Sequence, residues 1–242
     1  MKCPALWKLR RGEIEASLLH MYHYLVHFDA SATTTSMPRP TLLIASTNQG
    51  KLREYREILG ELPIDLVTLT DAGITFEADE TGTTFRQNAT LKARAYAEAS
   101  GLITFAEDSG LEIDAMNGEP GVYSARWGNT SDYEVKHRMI LDRLQAVPWE
   151  LRTARYVSEA AIVDNCARVW NYRGTVEGRI ALSPSGSGGF GFDPIFHVTR
   201  FGCTMADLTA TQKHAVSHRG RSTRRALPRL RAILGLAEDA RD

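Results

Sequence analysis

No stretch of the 242-residue sequence approaches the roughly 18–20 uninterrupted apolar residues that a membrane-spanning helix needs. A helical membrane protein is therefore excluded, and no membrane partner is expected. Neither sign of charge is in excess. The 29 lysines and arginines cancel 29 aspartates and glutamates, so no global field drives the chain onto nucleic acid or anionic lipid. Cysteine is scarce: Cys3, Cys166 and Cys203 are odd in number and far apart. That fits a reducing, cytoplasmic compartment better than a disulfide framework or a zinc site. Internal repeats are missing too. What remains, 43% hydrophobic and 24% charged residues, is ordinary globular composition, which excludes general disorder, a collagen-like chain and a coiled coil. The length suits one large domain or two small ones.

Residues 1–40 differ from the rest. They end in the polar run SATTTSMPRP, closed by two prolines, which reads as linker. Before it, Leu18, Leu19, Tyr22, Leu25 and Val26 are spaced for a short helix. The segment has no pure apolar core and no small-residue cleavage site, so a secretory signal is not expected, and Glu13 and Glu15 weigh against a transit peptide. We expect residues 1–40 to form an N-terminal extension, poorly ordered or outside the functional unit, with the working domain over 41–242. From Thr41 the pattern alternates: strand 42–46, helix 51–60 closed by Gly60, strand 64–69, and an Ala-rich helix over 84–101 closed by Gly101. Two strands (102–106 and 111–116) separated by a loop are expected next, then a helix over 131–147 capped by Ser131 or Asp132. The second half reads as long strands at 154–164 and 168–182, a Gly/Ser loop, a strand at 194–198, and helices to the end with a kink or break at Pro228. This order predicts an α/β fold with a mixed sheet and two lobes.

Several turns could carry chemistry. STNQGK (46–51) runs from strand to helix, and a helix N-terminus attracts anions through unpaired amides and its dipole. It is no Walker loop, because Leu52 stands where Ser or Thr is required, and a plain capped turn with a solvated lysine is the competing reading. SGSGGFGF (185–192) contains a formal G-x-G-x-x-G, but no helix opens after it, so it is not a dinucleotide fingerprint. It reads instead as a loop delivering Phe190, Phe192 and Asp193 to one place. Carboxylates cluster in EADETG (77–82) and AEDSGLEID (106–114). Hard oxygen ligands from two segments suit Mg²⁺, which takes one or two carboxylates with substrate phosphates and water, although each acid alone reads as a solvated loop charge. Residues 213–231 carry seven basic groups and no acid. A nucleic-acid patch, a phosphate clamp from Lys213, His218 and Arg219, and a wet helix face are the readings this leaves open.

Together, IASTNQGK, ADETGTTFRQNATLKA, AEDSGLEIDAMNGEPGVYSAR, SGSGGFGFDPIF and SHRG, in that order, resemble the inosine triphosphate pyrophosphatase family over about Thr41 to Gly235. The resemblance implies an α/β protein with a long central mixed sheet, two lobes and a substrate cleft between them, usually a homodimer. It implies Mg²⁺-dependent hydrolysis of ITP, dITP and XTP to the monophosphate and pyrophosphate, which cleanses the nucleotide pool, with no stable nucleic-acid partner. On its motifs, Ser46, Thr47, Asn48, Gln49, Gly50 and Lys51 match the triphosphate-binding turn, and Asp108 the general base. Asp79 and Asp108 match metal-linked acids, with Glu80 and Glu107 as neighbours. Ser109 matches a substrate contact, Phe190, Gly191, Phe192 and Asp193 the base-facing loop, and Lys213, His218 and Arg219 the groups that close over the nucleotide. Glu107 stands where the family often has Asp, and LTATQK lacks the acids often found before that lysine. The alternatives are a pyrophosphatase for modified pyrimidine or methylated nucleotides, and a nucleic-acid-binding module built on 213–231.

Overall fold

The chain is described by a computed structural model covering residues 38–236; the helix expected before Met37 lies outside the described residues. Leu42, Leu43, Ile44 and Ala45 are all buried, as in a strand covered on both faces, and Thr41–Ala45 is strand β1. Helix α1 (Gln49–Leu59) follows, capped by the Asn48 side chain. Then come β2 (Asp65–Thr68) and α2 (Phe85–Ser100), the latter held between a Thr84/Gln87 capping box and a left-handed Gly101. The chain continues as β3 (Ile103–Ile113), α3 (Tyr133–Arg143), β4 (Thr153–Val163) and β5 (Val169–Ile180). It ends with β6 (Phe196–Val198), β7 (Cys203–Thr204), α4 (Ala210–Val216) and α5 (His218–Ile233).

The strands form one mixed sheet in the order β2-β1-β3-β4-β5-β6-β7. β1 runs parallel to β2 and β3, and every later pairing is antiparallel. Side chains alternate across it, as the two-residue pleat requires. Leu42 and Ile44 join Tyr55, Phe105, Ala226 and Leu230 on the face covered by α1 and α5. Leu43 and Ala45 join Ala89, Ala93 and Ala106 on the α2 face. A third cluster, with Leu111, Ile113, Ile140, Tyr156, Phe192 and Phe196, fills the far part of the sheet.

Three expectations need correction. Residues 102–116 do not form two strands with a loop between. The ladder with β4 runs unbroken from Thr104↔Val163 to Ile113↔Ala154, so the polar Asp108-Ser109-Gly110 stretch is strand and not loop. Gly110 is needed there because a Cβ would lie 2.5 Å from the Gly121 carbonyl oxygen and closer still to Ser124 Oγ. The helix expected over 131–147 stops at Arg143, with Asp132 as its cap. Of the kink or break expected at Pro228, the break does not occur: α5 runs through it. Its hold on the sheet outweighs the missing N–H: Ala226 and Leu230 are buried, while the Arg221 and Arg225 guanidiniums donate to the Thr175 and Arg173 carbonyls. Arg224 likewise donates to the His214 and Ala215 carbonyls, so much of the basic run is fastened to backbone. Among the described residues, no helix is long and apolar enough to cross a membrane.

One topological detail positions everything that follows. β1 accompanies β3 only as far as Ala45↔Ala106, whereas β4 stays beside β3 to its end. Among the described residues, Glu107 to Leu111 therefore have no strand neighbour on the β1 side, just beyond the carboxyl end of β1. Ligand sites of α/β sheets favour such places.

Candidate active site

A cleft of about 290 Å³ opens at that step in the sheet. Ser46, Thr47, Asn48 and Lys51 line one side, and Glu107, Asp108 and Ser109 of β3 line its floor. Asn48 Oδ1 accepts from the Lys51 amide at 3.0 Å, and the Asn48 amide donates to Ser46 Oγ at 3.2 Å. These bonds fix the turn and leave the first amides of α1 for a ligand. Gly50 sits beneath the Phe190 ring, since a Cβ there would approach Phe190 Cγ and Cδ1 to 2.7 Å. The helix start and the glycine-rich loop are thus in contact.

Adjacent residues of β3 face opposite sides of the sheet. Asp108 turns toward α2, where Asn88 Nδ2 donates to its Oδ2 at 3.1 Å and Lys92 Nζ lies 3.7 Å from Oδ1. The same Lys92 ammonium is 3.0 Å from Glu80. Burial pushes the Asp108 carboxyl above the ordinary aspartate range, and Lys92 and Lys51 only partly offset it. Glu107 turns the other way and is fully enclosed. It accepts from Tyr55 Oη at 2.8 Å and from Arg219 Nε and Nη2 at 2.9 and 3.1 Å, with Lys51 Nζ at 3.7 Å. Burial opposes its charge, yet Arg219 and Lys51 prevail and hold it well below the usual glutamate range.

A buried ion network closes the far end of the cleft. Glu54 accepts from Lys213 at 2.6 Å and Arg219 at 2.5 Å. Burial alone would raise its carboxyl, and these two cations bring it down to about 2. Lys213 also reaches Asp193 Oδ2 at 2.5 Å. Asp193 does not face the cleft as a free acid: it accepts from the Phe190 amide at 2.8 Å and from Tyr156 Oη at 3.2 Å, anchoring the loop. His218 lies flat on Tyr156, with ring centroids 4.6 Å apart and planes 14° from parallel. Burial and then Arg219 lower its pKa to about 3, so it is a neutral imidazole, and its buried Nδ1 has no hydrogen-bond partner among the described residues.

Ser46, Thr47, Asn48, Lys51, Asp108, Ser109, Phe190, Gly191, Phe192, Asp193, Lys213, His218 and Arg219 all line this one cleft. Gln49 and Gly50 belong to the adjoining turn but not to the lining. Asp79 is exposed and outside it, whereas Glu80 and Glu77 are inside. Sequence reading passed over Glu54, Asn88, Lys92 and Tyr156. Asn88 and Lys92 could have been found: four residues apart, they form a polar stripe beside the alanines of α2. Tyr156 carries no comparable signal.

The lining balances, with carboxylates Glu77, Glu80, Glu107, Asp108 and Asp193 against cations Lys51, Lys92, Arg126, Lys213 and Arg219. Among the described residues, no group of three or more His, Cys, Asp or Glu is arranged to hold a metal unaided. Asp108 and Glu80 fit a hard divalent cation all the same, because one ammonium already bridges them and such a cation can complete its shell with phosphate and water.

Fold and cleft define an α/β protein with a charge-balanced crevice at the carboxyl end of a parallel strand. The Ham1 family model matches residues 42–229. A dITP/XTP pyrophosphatase of Symbiobacterium thermophilum is 48% identical over 199 residues, 82% of this chain and 98% of that protein. One of Nocardia farcinica is 44% identical over 206 residues, 84% of this chain and 100% of that protein. Among solved structures, a HAM1 protein from Coxiella burnetii matches with a TM-score of 0.72 at 35% identity, covering 80% of this chain and 99% of that one. The chain belongs to the Ham1 family.

Proposed function

We propose that this chain hydrolyses non-standard purine nucleoside triphosphates, ITP, dITP and XTP, to the monophosphate and pyrophosphate with Mg²⁺, using residues 41–242. The observation that carries the reading is the shared cleft: Asn48, the cap of α1, Lys51 and the Asp108 carboxylate line one cavity. A triphosphate brings about four negative charges to a lining with no positive surplus. A divalent cation is thereby called for, with Asp108 and Glu80, not Asp79, as its protein ligands. When bound, such a cation neutralises phosphate charge and makes bound water more acidic.

The chain's own groups account for the rest. The amides of α1 and Lys51 hold phosphate oxygens. Asn88 and the Ser109 amide each donate to one Asp108 oxygen, at 3.1 and 3.0 Å, which fixes the carboxylate with lone pairs to spare. Asp108 takes a proton from a water whose oxygen attacks the α-phosphorus. The bond from that phosphorus to the β-bridging oxygen breaks, and pyrophosphate leaves. Base selection needs a donor for the purine 6-keto oxygen. Arg219 has five N–H groups; four are directed at Glu54, Glu107 (two) and Ser109, leaving one Nη1 hydrogen. Adenine presents an amine there and leaves that donor unpaired, which discriminates strongly. The cytoplasmic location and homodimer implied by the resemblance belong to the same reading; light scattering tests the second.

Pyrophosphate release from a panel of triphosphates with Mg²⁺ is the test. Turnover of dITP and XTP well above dATP and dCTP is expected. Preference for a modified pyrimidine or methylated nucleotide overturns the reading.

A further inference from the structure

We propose that Glu107 is a positioning residue that aims Arg219 at the nucleobase, and that it is not a ligand of the divalent cation. The inference rests on the pyrophosphatase reading above. Glu107 and Asp108 look like a paired acidic site in sequence, but neighbouring side chains on a strand point to opposite faces. Asp108 meets Asn88 and Lys92 of α2; Glu107 meets Tyr55 of α1 and Arg219 of α5.

The occupancy of the carboxylate supports this assignment. Glu107 Oε2 accepts from Tyr55 and Arg219 Nε, while Oε1 accepts from Arg219 Nη2. Lys51 Nζ, which also lines the cleft, lies 3.7 Å from Oε2 as a further cation on the same carboxylate. An inward-turned carboxylate already engaged by a guanidinium fork has poor access to a cation bound beside Asp108. On the other partner, the fork fixes the guanidinium plane. The Glu54 contact is single-pronged and the Ser109 contact is long at 3.4 Å, so without Glu107 the plane is held by two single bonds and can turn. The one uncommitted Nη1 hydrogen then loses its direction. Phe190, whose ring centroid lies 5.4 Å from Arg219 Cζ, loses a packing partner as well. In this chain the fork meets both Glu107 oxygens, so shortening the side chain by one methylene withdraws both acceptors from the guanidinium as it is now placed.

Two variants test this, after wild-type turnover of dITP has tested the parent reading separately. Glu107→Gln keeps the length and removes the charge; Glu107→Asp keeps the charge and shortens the reach. For both, the preference in kcat/KM for dITP over dATP should fall at least tenfold. IMP affinity measured by calorimetry in EDTA should also fall at least tenfold. The Mg²⁺ concentration for half-maximal rate should stay within twofold of wild type. Glu107→Asp serves if Glu107→Gln does not fold, since it retains a metal-competent carboxylate. Unchanged base preference and IMP affinity overturn the proposal, as does a tenfold rise in the Mg²⁺ requirement for either variant.

Discussion

Replacing Gly50 by alanine should separate stability from activity. Gly50 is the second residue of α1, and within a helix alanine is favoured over glycine by roughly 0.5–1 kcal/mol on backbone grounds. Taken alone, that would raise the melting temperature by about 1–4 °C for a domain of this size. The added methyl group would nevertheless stand 2.7 Å from Phe190 Cγ and Cδ1 and 3.0 Å from Cδ2. Ordinary contact begins near 3.4 Å, so the ring must withdraw by about 0.7 Å. Its backbone cannot follow freely, because the Phe190 amide is bonded to Asp193, which Lys213 and Tyr156 hold in turn. Misplacement by about 1 Å in a positioning contact costs up to about 10²-fold in rate. We therefore expect kcat/KM for dITP to fall about 10- to 100-fold while thermal unfolding is unchanged or slightly later. Pyrophosphate release and a melting curve on the same preparation decide it. Full activity would refute the coupling between helix start and loop; a melting point several degrees lower would show the Phe190 contact to be core packing.

Asp108→Asn should lower kcat by at least about 10²-fold, as expected for loss of a general base. It should not lower the melting temperature at pH 7, since burial makes the charged Asp108 a cost in the folded state. Glu80→Gln should raise the Mg²⁺ needed for half-maximal turnover about tenfold and Asp79→Asn should not, read by titrating Mg²⁺ at saturating dITP; the reverse pattern would return the metal role to Asp79. EDTA should abolish turnover with little change in melting temperature, because the protein ligands are carboxylates of an already formed cleft. His218 titrates at about 3 when folded against 6.5 unfolded. Its stabilising share is therefore complete above pH 6.5 and lost as pH falls toward 3, at up to about 1.4 kcal/mol per pH unit. Melting temperatures between pH 7 and 5 should fall less steeply in His218→Gln than in the wild type, and parallel curves would refute the neutral buried imidazole.

Most of the fold was legible because its elements state their ends locally. Asn48, Thr84 and Asp132 cap helices, and Gly101 closes one in the left-handed conformation. The misreadings arose where distant chain supplies what a short window lacks. Asp108-Ser109-Gly110 has loop composition, yet β4 pairs with each of these residues and the 121–124 turn requires the glycine. Pro228 signals a helix end, but guanidinium bonds and buried apolar contacts hold α5 together through it.

The site was legible as a set of motifs and much less so as a set of contacts, and the pleat explains the difference. Along β3 the sequence offers Glu107 and Asp108 as neighbours, so chemical intuition groups them. The strand assigns one to each side of the sheet, and their partners come from separate parts of the chain. Glu107 meets Tyr55, 52 residues earlier, and Arg219, 112 residues later. Asp108 meets Asn88 and Lys92 of a single helix. The acids ahead of α2 pose the same choice without a pleat to decide it: Asp79 is exposed, while Glu80 one residue on reaches Lys92. In an irregular segment no period tells which of two adjacent acids turns inward. Within β3 the period is two, so a continuous strand over Ile103–Ile113 is by itself enough to place Glu107 and Asp108 on opposite faces.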